Sequence, residues 1–135
     1  MATLTVTAAD VRVKTGASVT KLTAGESITP GQVVYKKASD SKAYLADANV
    51  DAATAAAVGI AFSYADADEL VHYVTAGDMD IGATTVKGQT YHVSATAGGI
   101  EDTVASSSFN TIVAYGKDTA GTITVALTVS GQQVA

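Results

Sequence analysis

The segment Thr122-Ile-Thr-Val-Ala-Leu-Thr-Val129 decides the fold class, because large aliphatic residues alternate with threonine or alanine along it. Successive side chains of a β-strand point to opposite faces, so one face of this segment carries only Ile, Val and Leu. Valine, isoleucine and threonine are also the β-branched residues that strands favour. The segment therefore predicts a half-buried β-strand.

Similar short segments recur towards the N-terminus, separated by turn-forming residues. They predict strands at 33–37, 43–46, 58–63, 69–75, 81–87, 89–93 and 109–115. The strand at 69–75 carries apolar groups on both faces, which indicates that it is covered on both sides. Residues 47–57 are rich in alanine and predict at most one short helix, with Asp47 or Asn49 as its N-cap.

We divide the chain into an N-terminal strand or arm segment, residues 1–22, and a β-domain, residues 23–135. In the first segment, alternation at Leu4 and Val6 and at Val11 and Val13 predicts two short strands, and residues 14–21 predict a connection. The polar tail at 130–135 is expected to fray. With roughly eight to ten short strands, the chain is predicted to be all-β, an antiparallel β-sandwich or a small β-barrel.

The composition excludes several classes of protein. Charged residues make up 16% and hydrophobic residues 47%, which is not the composition of a disordered chain. The absence of cysteine excludes disulfides and thiolate sites. The formal charge of −5 argues against nucleic acid as a partner. Neither a secretory signal nor an apolar run of about 20 residues is present, so we expect synthesis in a cytoplasm and no membrane partner.

The charges are divided unevenly along the chain. Residues 1–45 hold six basic and three acidic groups, a net +3, whereas the remainder holds two basic and ten acidic groups, a net −8. This asymmetry favours surfaces of opposite sign that meet between subunits or on a partner, the alternative being a chance distribution over a solvated surface. The many small side chains predict a thin core, for which association is a common remedy.

No constellation of residues predicts catalysis. His72 and His92 lie in predicted strands without a second histidine at metal-ligand spacing. Acidic groups at 66–69 and at 78–80 flank one predicted strand and would lie more than about 20 Å apart, so we interpret them as solvated loop tips. No nucleophile elbow or phosphate-binding loop is present. A small hydrolase with a carboxylate pair in a cleft is the remaining catalytic alternative.

Four segments occur in an order that is similar to one known family. They are Thr23-Ala-Gly-Glu-Ser-Ile-Thr-Pro-Gly-Gln-Val-Val-Tyr35, Lys42-Ala-Tyr-Leu-Ala-Asp47, Ala57-Val-Gly-Ile-Ala61 and Gly88-Gln-Thr-Tyr-His-Val-Ser-Ala-Thr-Ala-Gly-Gly-Ile100. Together they resemble small bacteriophage capsid decoration (cement) and head-fibre proteins, over residues 23–129. The resemblance implies an all-β domain, usually a homotrimer, that binds the major capsid protein on the outer surface of a phage head. It also implies a virion location after synthesis in the host cytoplasm, with no catalysis and no cofactor.

The first residues fall outside this resemblance. Their strand pattern indicates either strand addition to a neighbouring subunit or the capsid, or an ordinary strand inside the domain. From charge placement we predict that Arg12, Lys14, Lys36 and Lys37 contact the capsid or another subunit. The alternative function is a phage fibre or tail module that recognises a host-surface glycan.

Overall fold

The computed structural model describes residues 3–134, and within that range it contains ten β-strands. They are β1 (Arg12–Val13), β2 (Ser18–Thr23), β3 (Val33–Lys36), β4 (Ala43–Leu45), β5 (Ala57–Ala61), β6 (Leu70–Asp80), β7 (Thr90–Val93), β8 (Ile100–Glu101), β9 (Phe109–Gly116) and β10 (Thr122–Gln133). One short helix, α1 (Ala52–Ala55), and one 3₁₀ turn (Ala8–Asp10) complete the described part. The predicted all-β fold with at most one short helix is confirmed.

The strands form one antiparallel sheet that curls into a half-barrel. Its order is β4-β3-β5-β6-β10-β9-β7-β8, with β1 and β2 also paired to β6. Both β1 and β10 pair with Asp80, and both β2 and β5 pair with Val74. A residue in a sheet has one neighbour on each edge, so β1 and β2 follow one edge of β6 while β5 and β10 follow the other.

Both faces of β6 are buried, as its sequence predicted. Val74 and Met79 belong to the large core cluster, which also contains Ile123 of β10. Val71 and Tyr73 point to the opposite face and belong to a second, smaller cluster. Burial on both faces explains why β6 is the strand around which the rest of the sheet is arranged.

Residues 3–7 run from β8 to the residues that follow β6, and we call them the strap. Thr3 forms a β-bridge with Glu101, and the Leu4 amide donates to the Ile100 carbonyl at 2.8 Å. At its other end the Thr7 amide donates to the Gly82 carbonyl at 2.8 Å. The side chains of Leu4 and Val6 pack against the large core cluster. The described part of segment 1–22 therefore pairs with strands of its own chain.

Several predictions about local structure are wrong. Residues 81–87 lack strand pairing, and β2 lies where a connection was expected. Instead of fraying, the polar tail continues β10 as far as Gln133, which pairs with Phe109. The N-cap of α1 is Asp51, whose carboxylate accepts from the Thr54 amide at 2.7 Å.

Candidate functional site

The two basic residues predicted near the N-terminus lie on β1 and just after it. Arg12 is exposed, and its guanidinium donates to the carbonyls of Ala9 and Val11, at 2.7 and 3.0 Å, and forms no ion pair among residues 3–134. Lys14 instead forms an ion pair with Asp80 of β6 at 3.4 Å. Arg12 therefore has charge to offer to another molecule, whereas Lys14 is already engaged within the chain.

The second predicted basic pair lies at the end of β3, beside the turn that leads into β4. Lys36 and Lys37 are exposed and form no ion pair within residues 3–134. The ammonium of Lys37 lies 4.9 Å from the ring centroid of Tyr44, a cation–π distance. The phenol of Tyr44 donates to Asp40 at 2.6 Å, and this hydrogen bond lowers the pKa of Asp40 and raises that of Tyr44.

The two predicted basic pairs do not form a single patch. Strands β5 and β6 separate β1 from β3 in the sheet. At about 4.8 Å per strand, that spacing places the pairs on the order of 14 Å apart or more. A partner that contacts both pairs must therefore cover a broad part of the sheet.

Lys21 is a further exposed cation, which the sequence analysis did not select. It lies on β2 opposite His72 and forms no ion pair within residues 3–134. Because β1 and β2 follow the same edge of β6, Arg12 and Lys21 share that edge about eight residues apart, or roughly 26 Å. The signal for Lys21 was weak because residues 14–21 are mostly polar and contain Gly16, and so predict a connection.

The acidic groups at 78 and 80 are not loop tips, and their interpretation as such is wrong. Both lie within β6, where they are joined to threonines of β10: Thr122 donates to Asp80 and Thr124 to Asp78, each at 2.8 Å. Lys117 also pairs with Asp78. The hydrogen bond from Lys117 is the main reason why the pKa of Asp78 is lowered, with Thr124 adding to it. This polar network ties β6 to β10.

Glu101 on β8 is a buried carboxylate, only 5% exposed, and the sequence analysis did not single it out. Its Oε1 accepts hydrogen bonds from the hydroxyls of Ser94, at 2.6 Å, and Thr3, at 3.2 Å. Its Oε2 has no hydrogen-bond partner among the described residues. The Ser94 hydroxyl in turn accepts from the Thr96 amide at 2.9 Å. Glu101 therefore joins the strap to the β7–β8 hairpin.

Two clefts lie beside the strap. One, of about 180 Å³, is lined mainly by apolar and glycine residues, among them Leu4, Val6, Pro30, Gly31 and Ile100. The other, of about 490 Å³, is polar and contains the carboxylates of Asp10 and Asp80. Both oxygens of Asp80 are engaged, one by the Thr122 hydroxyl and one by the Lys14 ammonium group.

Among residues 3–134, no group of three His, Asp or Glu side chains is placed to hold a metal ion. His92 contacts the side-chain oxygen of Asn110 at 2.9 Å, and the His72 ring lies 6.0 Å from that of Phe62. In the same range, no helix is long and apolar enough to cross a membrane.

The segments that carry the family resemblance form a large part of the sheet. They contribute β3, β4, β5 and the β7–β8 hairpin. Their glycines fit tight places: a Cβ on Gly59 would collide with the Val74 carbonyl and the Tyr73 ring of β6. Arg12 precedes the first of these segments, and Lys36 and Lys37 directly follow its last residue, Tyr35. Comparison of the chain with protein-family models, curated proteins and solved structures finds no match.

Proposed function

We propose that this protein is a virion structural protein that decorates the outer surface of a phage capsid and stabilises it by bridging coat subunits. The proposal is carried by the exposed basic side chains of Arg12, Lys36 and Lys37, which form no ion pair within residues 3–134 although the chain has a net charge of −5. Such groups are suited to a partner surface of opposite charge. The sequence resemblance to decoration and head-fibre proteins supports the major capsid protein as that partner.

The proposed mechanism is mechanical and requires no cofactor. A protein that binds the assembled shell, but not free coat subunits, stabilises the shell by mass action. When a symmetric oligomer binds a symmetric lattice, several weak contacts form together, and the overall affinity is higher than that of any single contact. In this mechanism each of the two basic pairs, which lie on separated strands, contacts a different coat subunit, which is what bridging requires.

A homotrimer is the proposed assembly state, since a symmetric oligomer matches a symmetric junction of the lattice. Light scattering of the purified protein tests this directly. We expect three times the chain mass of 13.5 kDa. A monomer at the concentrations used for capsid binding would contradict the trimer.

Co-sedimentation with undecorated capsids of its own phage tests the function, with charge-reversed variants mapping the contact. We expect Arg12→Glu and the double change of Lys36 and Lys37 to Glu each to weaken binding at least tenfold. Lys87→Glu is the matched control, because Lys87 is also exposed and unpaired within residues 3–134 but lies in the acidic part of the chain. Equal binding of all variants would refute the placement, and no binding by the wild type would refute the function.

A glycan-binding fibre or tail module is the second candidate, favoured by one observation. The rings of Tyr35 and Tyr44 lie 6.2 Å apart on the β3–β4 hairpin, with Lys37 over the second ring. Aromatic faces beside polar groups suit sugar rings. Saturable binding of host-surface glycans that is lost in Tyr44→Ala, with no binding to capsids, would favour this candidate over decoration.

A further inference from the structure

The outer edge of β2 is an open sheet edge. On its inner side, Ser18–Thr23 pairs with β6 from Ala76 to Leu70. On its outer side no strand, bridge or loop of residues 3–134 pairs with it. In an antiparallel ladder alternate residues direct their N–H and C=O groups away from the paired strand. The outer edge of β2 therefore presents unpaired backbone donors and acceptors to solvent.

The two ends of the sheet path are covered, in contrast to β2. At β4 the Gly25 amide donates to the Ala43 carbonyl at 2.8 Å, and the Glu26 carboxylate accepts from the Leu45 amide at 3.0 Å. At β8 the strap covers the edge through Thr3 and Leu4. Proteins usually cover or shorten open edges to avoid pairing with other chains, and β2 is neither covered nor unusually short.

The side chains around this edge form a shallow groove of about 380 Å³, lined by Val19, Thr20, Lys21 and His72. Val19 and Lys21 are two residues apart and so lie on the same face of β2. Val19 is 49% exposed, a large fraction for an aliphatic residue in a strand. The groove thus combines an apolar contact, an unpaired ammonium group and free backbone groups.

We propose that the outer edge of β2 accepts an extended, acidic segment of a partner protein as an additional β-strand, with a carboxylate opposite Lys21. Backbone hydrogen bonds to β2 supply the attachment, and side chains that alternate along the added strand supply the selectivity. Under the proposed function the segment belongs to the coat protein, and to that extent the inference rests on that function.

The charge at Lys21 decides between an acidic segment and a second copy of β2. Two copies related by a two-fold axis through Thr20 would pair antiparallel and bring their two Lys21 side chains close together. Like charges on neighbouring strands are unfavourable, and lysine is a residue that edges use against self-pairing. A carboxylate on the added strand removes this repulsion and gains an opposite-charge pair.

The probe is a pair of blocked peptides, acetyl-Thr-Val-Thr-Asp-Thr-Val-Thr-amide and the same peptide with Lys in place of Asp. The central charge and both valines share one face of the extended peptide, which matches Lys21 and Val19 in either strand direction. Each peptide is titrated at millimolar concentration into the full-length isotope-labelled protein while amide NMR shifts are recorded. We expect shifts confined to β2 and its neighbours on β6, and affinity two- to fivefold higher for the Asp peptide.

Two variants make the experiment specific. Lys21→Glu should reverse the preference, so that the Lys peptide binds more tightly than the Asp peptide. Lys87→Glu, which changes an exposed lysine that is away from β2 and forms no ion pair within residues 3–134, should leave the preference unchanged. Both substitutions are at exposed positions, so the fold should persist, and the amide spectrum verifies it.

Shifts elsewhere on the surface, no binding of either peptide, or an unchanged preference in Lys21→Glu would overturn the inference. Concentration-dependent shifts of β2 amides without peptide would identify a second copy as the occupant and would also overturn it. The capsid experiment is independent of these outcomes. If capsids bind while peptides do not, strand addition is wrong and decoration stands; if peptides bind while capsids do not, decoration is wrong and the acceptor edge stands.

Discussion

Substituting Gly59 with alanine tests how closely β5 and β6 approach. The φ angle of Gly59 lies outside the left-handed region, so alanine is not strained by the backbone conformation. Its Cβ, however, would lie 2.6 Å from Cδ2 of Tyr73 and closer still to the Val74 carbonyl oxygen. Carbon atoms normally approach to about 3.5 Å, so β5 and β6 would have to separate by nearly an ångström next to the Ile60–Val74 pair.

Overpacking of this kind costs about 2–3 kcal/mol of unfolding free energy. For a chain of 135 residues, this corresponds to a fall in Tm of about 7–10 °C. The measurement is urea unfolding at equilibrium, followed by circular dichroism, together with a thermal scan. The slope of the urea transition should not change if the substitution acts only on the native state.

Gly88→Ala is the matched control because alanine there would strain the backbone without a steric clash, whereas Gly59→Ala causes a clash without backbone strain. Gly88 has a φ of +82° and no atom within 4 Å of a built Cβ, so alanine there is strained by conformation and meets no neighbour. We expect a loss of about 1 kcal/mol. If Gly59→Ala proves no more destabilising than Gly88→Ala, the close contact of β5 and β6 is wrong.

Three further predictions concern the core and the polar contacts. Replacing the fully buried Ile123 by alanine should lower the unfolding free energy by about 2–5 kcal/mol, and a loss below 1 kcal/mol by denaturant unfolding would argue against its burial. Ser94→Ala should cost about 1.5–3 kcal/mol in the same assay, since it removes a hydroxyl from buried Glu101; Ser130→Ala, at an exposed position, is the control. The pKa of Asp78 is lowered from 3.8, so its ion pair with Lys117 stabilises the fold above that pH and is lost as the pH falls through the lower folded value. Asp78→Asn should therefore be less stable than the wild type at pH 7, and the difference should shrink as the pH falls through the lowered pKa of Asp78; a constant difference would contradict this linkage.

The strands predicted correctly are those whose own residues display the pattern. Val125 and Ile123 alternate with threonine, and β10 begins at Thr122, the predicted position. The strand β6 was recognised because Val71 and Val74 place apolar groups on both of its faces. In these strands the buried faces require apolar side chains. The resulting alternation of apolar and polar residues is visible in the sequence and predicts the strand.

The elements that were missed depend on partners far away in the chain. Strand β2 is held by pairing of its backbone with β6, and its exposed side chains carry no periodic signal. The pairing of Lys14 with Asp80 depends on the register between β1 and β6, which a single sequence does not display. Glu101 is buried because the β7–β8 hairpin brings Ser94 to it, although a glutamate in isolation predicts an exposed position.

The strap also has a consequence for how the chain folds during synthesis. Thr3 contacts Glu101, a residue 98 positions later, and Thr7 contacts Gly82. At 5–20 residues per second, the ribosome releases the partner of Thr3 about 5–20 s after Thr3 itself. The side chains of Leu4 and Val6 therefore remain unpacked until the β7–β8 hairpin, which supplies part of their apolar contacts, has been synthesised. Contacts of such high sequence separation form slowly, so the strap should be among the last parts of the described fold to pack.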